Sequence, residues 1–185
     1  DQFGLAIPRA ERLAMQVGAS LLDGTGDGVW LVELAGLTDP GWLAATVAGV
    51  LEVTLAAGQP PADAFAEQLA GRRLLLIIDN CEHLIDEVAR LVDGIVRRCP
   101  DVSILATSRE PLGIGGETVY RVPSLPVPDA VQLLVDRAAS HHRGFARDDS
   151  NATALAAIVE RLDGIPLAIE LAAAWLRRLS VDELR

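Results

Sequence analysis

The sequence predicts an α/β fold: a parallel sheet with flanking helices, followed by a small all-α domain. Three observations carry this. Leu74-Leu75-Leu76-Ile77-Ile78 is an unbroken apolar run ending in Asp79-Asn80, the pattern of a strand buried on both faces in a helix-covered parallel sheet. Similar short apolar runs alternate with helical periodicity on either side of it, the order expected of parallel strands joined by crossover helices. Finally, Pro123-Ser124-Leu125-Pro126-Val127-Pro128 breaks the chain, and everything after it has helical periodicity. Two domains are therefore expected, over residues 1–122 and 128–185.

The elements follow in order. Residues 1–8 are short and poorly patterned. From Arg9 to Leu22, Ala10, Leu13, Ala14, Val17 and Leu21 recur at helical spacing, with Pro8 suited to start a helix. Gly24-Thr25-Gly26-Asp27-Gly28 is a turn; a strand follows it where a phosphate-binding loop would need a helix. Val29–Leu34 reads as a buried strand. Asp39-Pro40 opens a helix to about Leu51, with Asp39 as N-cap. After Gln59-Pro60-Pro61 a short helix covers Asp63–Ala70 and leads into the central strand.

Asp79 stands at the carboxyl end of that strand, where ligands sit in open α/β sheets. Its carboxylate suits a metal ion beside a phosphate, and it equally suits the capping of the next helix. That helix spans about Glu82–Arg98, with an apolar stripe of Leu84, Ile85, Val88, Leu91, Val92, Ile95 and Val96. Val102–Ala106 is a further strand ending in Thr107-Ser108-Arg109, again polar groups at a carboxyl end. Glu117–Val122 reads as a last strand. Helices are expected over Asp129–His141, Asn151–Leu162 and Pro166–Leu179, and Ser180–Arg185 looks like the start of another.

Composition narrows the function. Half of the 185 residues are hydrophobic and only 4% aromatic, and the net charge is −10. A surface this acidic argues against direct nucleic-acid contact. All sixteen basic residues are Arg, and there is no Lys. Cys81 and Cys99 match no zinc or disulfide spacing and read as reduced, partly buried thiols of a cytoplasmic protein. His141-His142 has no third ligand at usable spacing and reads as a solvated helix end. No apolar run reaches membrane-spanning length.

Four blocks, LLLIIDNCEHL, ILATSREPLGI, VPSLPVPDAVQLL and RLDGIPLAIELAAAWLRRLS, occur in this order. With them the chain resembles the NB-ARC-like module of STAND ATPases, most closely the version found in large bacterial transcriptional regulators of the LuxR and antibiotic-regulatory-protein types. The resemblance implies a P-loop NTPase-like sheet domain and an ARC-like helical domain. It implies ATP or ADP with Mg²⁺ as cofactors. Asp79 matches the Walker B residue that helps hold Mg²⁺. Asn80 follows it, Thr107 precedes the sensor segment, and Arg109 matches the Arg that reports on the γ-phosphate, a role suited to a bidentate guanidinium. Pro166, in Gly164-Ile165-Pro166-Leu167, matches the Pro that packs on the base. Effector and sensor domains of the same longer polypeptide are the implied partners, with self-association.

The resemblance fails at one place. The family's phosphate loop, GxxxxGK[ST], precedes a helix beginning Arg-Leu-Ala, which Arg12-Leu13-Ala14 matches. Counting back puts Gly4 at the first Gly but Arg9, Ala10 and Glu11 at the Gly-Lys-Thr positions. The Lys that reaches the phosphates is gone, and a carboxylate replaces the Mg²⁺-binding hydroxyl. Arg9 or Arg12 could partly substitute for it, though neither is placed like the lost Lys. Asn80 offers no general base, and the strand that feeds such a loop is missing or very short, as in a piece of a longer chain. No catalytic residue is assigned and ATP turnover is not expected. Two readings stand: a regulatory nucleotide-switch module of a signal-responsive transcriptional regulator with impaired nucleotide binding, or a nucleotide-free pseudo-ATPase serving as an interaction or autoinhibitory scaffold.

Overall fold

The computed structural model describes residues 9–142 and 144–185; of Arg9 it describes the backbone. These residues form two compact units, Ala10–Tyr120 and Arg121–Arg185. The first holds a three-stranded, wholly parallel sheet in the order β1-β2-β3: Val29–Glu33, Leu75–Asp79 and Ser103–Ala106. Helices α1 (Arg9–Leu21), α2 (Leu43–Leu51), α3 (Pro61–Gln68) and α4 (Ile85–Val96) flank it.

Strand β2 is central, and all five of its residues are buried. Because successive side chains alternate between faces, it feeds two cores. Leu76 and Ile78 join Val32, Leu34, Val47, Phe65, Val88 and Ile95 on the face covered by α2, α3 and α4. Leu75 and Ile77 meet Ala14 of α1 on the other face. Gly18 allows α1 this close approach: a Cβ there would lie 2.7 Å from Ile77 Cδ1 and 3.1 Å from Val29 Cγ1.

Three expectations require correction. The strand at 29–34 is not buried throughout: Val32 and Leu34 are buried, but Val29 and Trp30 are only half-buried and Leu31 is 37% exposed. Among the described residues it pairs only with β2, at one edge of the sheet, and its half-open residues Val29 and Leu31 are in register with Leu75 and Ile77 on the α1 side. Residues 117–122 carry no strand. Val119 and Tyr120 are exposed, so the segment has no apolar face to bury. Glu117 instead folds its carboxylate back onto the N–H groups of Leu112 and Gly113, at 2.9 and 2.8 Å. The helix expected from Glu82 begins as a 3-10 turn over Cys81–His83, and α4 proper starts at Ile85. Asp39 does cap as its sequence context suggested, accepting from Gly41 N–H at 2.9 Å ahead of a 3-10 turn at Pro40–Trp42.

The second unit is helical: α5 (Val127–His141), α6 (Ala152–Arg161), α7 (Pro166–Trp175) and the single turn α8 (Val181–Leu184). Its core is Ala130, Leu134, Leu155, Ile158, Ile169 and Ala173. Ser180 and Glu183 form a capping box that starts α8. Among the described residues no helix is long and apolar enough to cross a membrane.

Candidate functional site

Parallel pairing sets β1, β2 and β3 in register, so their polar ends meet at one carboxyl edge. Glu33 lies opposite Asp79, and Thr107 follows the last residue of β3. Asp79 is buried, at 8% exposure. It does not cap the following turn: its carboxylate accepts from the Thr107 hydroxyl. The chain then reverses through Asn80 in the left-handed region, at φ 63°, a conformation that Asn tolerates better than most residues. Asn80 N–H donates to Thr107 Oγ1 at 3.0 Å. Cys81 N–H donates to the Thr107 carbonyl at 3.0 Å, and Thr107 N–H to Ile78 O at 2.9 Å. One threonine thus fastens the ends of two strands through both its backbone and its side chain.

Glu82 extends this lacing. Arg109 Nε donates to Glu82 Oε1 at 2.8 Å, and the Asn80 amide nitrogen, set by its hydrogen-bonding surroundings, lies 3.1 and 3.2 Å from the two Glu82 oxygens. The Arg109 side chain is 85% exposed while that of Glu82 is 19% exposed. The carboxylate is therefore the sheltered partner, with the guanidinium laid over it from solvent.

Helix α1 brings a further acid. Glu11 sits in its first turn, where negative charge suits the helix dipole. Its carboxyl is nevertheless pushed above its ordinary value, first by burial and then by the charges of Asp79, Glu33 and Glu82. Four carboxylates thus share one electrostatic neighbourhood at this edge. The Cys81 thiol beside them is pushed up to about 12 by burial and by Asp79 and Glu82. It stays protonated at neutral pH and is a poor nucleophile.

The structure therefore brings together Asp79, Asn80, Thr107 and Arg109 of the expected set. Arg12 is exposed in the first turn of α1. Gly4 and the Arg9 side chain lie outside the described residues. Pro166 belongs to the helical unit, where it starts α7 after Gly164. Gly164 is required there: its φ is 63°, and a Cβ would stand 2.3 Å from the Leu125 carbonyl oxygen. Sequence reasoning missed the convergence of Glu11 and Glu33 and the self-capping by Glu117. The only available signal was that Glu33 and Asp79 both end apolar runs; their pairing depends on a register that the sequence does not state.

Among the described residues, the chemistry of this donor set does not fit a Mg²⁺-nucleotide. Triphosphate sites need cations and open N–H groups aimed at the phosphates. Here four carboxylates gather, Arg109 is engaged by Glu82, and Asp79 is engaged by Thr107. Among the described residues no group of three or more His, Cys, Asp or Glu side chains is arranged to hold a metal ion.

No family model matches the chain. It is 44% identical, over 174 residues, to a protein of Mycobacterium tuberculosis assigned by name as an HTH-type transcriptional regulator, and equally to a Mycobacterium bovis protein assigned in the same way. The match covers 94% of this chain but 20% of those proteins. An uncharacterized Mycobacterium tuberculosis protein is 39% identical over 174 residues, 94% of this chain and 44% of that protein. The chain thus spans about a fifth of the length of the named regulators and less than half of the third relative.

Proposed function

We propose that this chain is a regulatory module of a longer, cytoplasmic transcriptional regulator, built on the plan of the STAND ATPase module but working without bound nucleotide. It acts as an interaction or autoinhibitory scaffold for effector and sensor domains of the same polypeptide. The observation that carries this reading is the occupied edge: Arg109 is paired with Glu82 in a neighbourhood of four carboxylates, where a nucleotide's phosphates would meet net negative charge. The resemblance to named regulators supports the setting, and the net charge of −10 makes DNA contact the task of another part of such a protein.

Hydrolysis is not expected of such a module. Phosphoryl transfer relies on positioning and charge neutralisation. Each electrostatic stabiliser is typically worth about 3–4 kcal/mol of barrier, roughly 10²–10³-fold in rate. By the resemblance, this chain lacks both the phosphate-loop Lys and the Mg²⁺-binding hydroxyl. Calorimetric titration of the chain with ADP and ATP, with and without Mg²⁺, is expected to give no saturable heat. Phosphate release by the wild type, Asp79→Ala and Arg9→Ala should all equal background. Saturable binding of either nucleotide would overturn this reading. It would restore the nucleotide-switch reading, which the polar Asp79–Thr107 pair at the carboxyl ends of adjacent strands favours.

A further inference from the structure

Two features near the carboxyl edge are suited to hold an anion, and each already holds one of the chain's own carboxylates. The first is Arg109, whose planar guanidinium is a strong partner for carboxylate or phosphate oxygens; together with the Asn80 amide it holds Glu82. The second lies a few residues on. The successive N–H groups of Leu112 and Gly113 converge on Glu117, one to each carboxylate oxygen. Gly113 is left-handed, at φ 73°, as in the backbone concavities that bind anions elsewhere.

We infer that residues 107–117 are a self-liganded anion loop: Glu82 and Glu117 occupy from within the positions that a phosphate-class anion would take from outside. The loop consequently holds one ordered shape without a ligand. A tethered carboxylate has a high effective concentration, and at the Arg109 position the Glu11 carboxylate, which feels the charge of Glu82, also repels an external competitor. Phosphate-class anions gain these positions only when the internal carboxylates are neutralised. This inference rests on the reading of the edge as nucleotide-free and names what stands in the nucleotide's stead.

The test is amide hydrogen exchange on the full chain, comparing wild type with Glu82→Gln/Glu117→Gln. Exchange over 107–117 should accelerate roughly fivefold or more, the loss expected of about one net hydrogen bond, while Leu75–Ile78 stays protected. Millimolar sodium pyrophosphate should slow the variant's loop again and leave the wild type unchanged; sodium chloride at the same ionic strength should do neither. No acceleration would overturn the inference. So would an acceleration that pyrophosphate does not reverse, which would make the carboxylates purely structural, or a wild-type loop that pyrophosphate itself slows. Should the double variant unfold, Glu82→Gln alone is read by the NMR signal of Arg109 Nε–H, which should lose its protection and regain it with pyrophosphate; an unchanged signal refutes the inference. Nucleotide binding by the wild type with loop exchange unaltered would sink the functional proposal alone.

Discussion

Gly18 and Glu11 lie on the same helix and meet the sheet in opposite ways. Gly18 lets α1 approach β2 closely; Glu11 brings a charge toward three others. Because folding raises the Glu11 pKa above its ordinary value of 4.5, the folded chain holds this proton more tightly than the unfolded one. The resulting destabilisation is absent below pH 4.5, grows as pH rises, and is complete above the folded pKa. Glu11→Gln should therefore shift the urea midpoint modestly upward at pH 7, and the two proteins should converge below pH 4.5. A variant less stable at pH 7 would mean that the favourable placement of the charge at the helix N-terminus wins. At this scale the site was legible as a set of polar residues ending apolar runs: Asp79, Asn80, Thr107 and Arg109. Their partners were not. Whether Asp79 meets a helix N–H or the Thr107 hydroxyl depends on how two strands 28 residues apart are paired.

At the scale of elements, apolar runs located β1, β2 and β3 to within a residue, since run length and flanking Gly, Pro and Arg are local signals. They did not tell an edge from a centre. Val29–Leu34 and Leu74–Ile78 look alike as strings, yet Leu31 is 37% exposed and Ile78 fully buried. Substitution should expose the difference. Ile78→Ala leaves a cavity in the main core and should cost about 2–5 kcal/mol. Leu31→Ala removes surface already partly in water and should cost less than about 1.5 kcal/mol. Urea unfolding of both variants checks this, and equal losses would contradict the edge position of β1. Residues 117–122 misled for a related reason: β-prone residues form a strand only where a neighbour is available to pair, and here Glu117 satisfies the local N–H groups first.

Over the whole molecule, two units each bury a core of their own, one around β2 and one around Leu134, Leu155 and Ile169. Gly164→Ala tests the second. It would force a Cβ into the Leu125 backbone at a positive φ and should destabilise the helical unit by at least about 2 kcal/mol. Hydrogen exchange should show α5, α6 and α7 losing protection while β2 keeps it; unchanged protection in α5–α7 would show that the contact is readily relieved. The sequence by itself determined the α/β class, the order of β1, β2 and β3 and the helices between them, the helical character of everything after 128 and the polar strand ends. These follow from periodicity, run length and breakers within a few residues of one another. Only the tertiary structure decided that β1 is left half-open while β2 is buried on both faces, that Glu11, Glu33, Asp79 and Glu82 share one neighbourhood, and that Arg109 pairs with Glu82. Each of these depends on register and packing between segments distant in the chain, and distance in sequence carries no local signal of nearness in space.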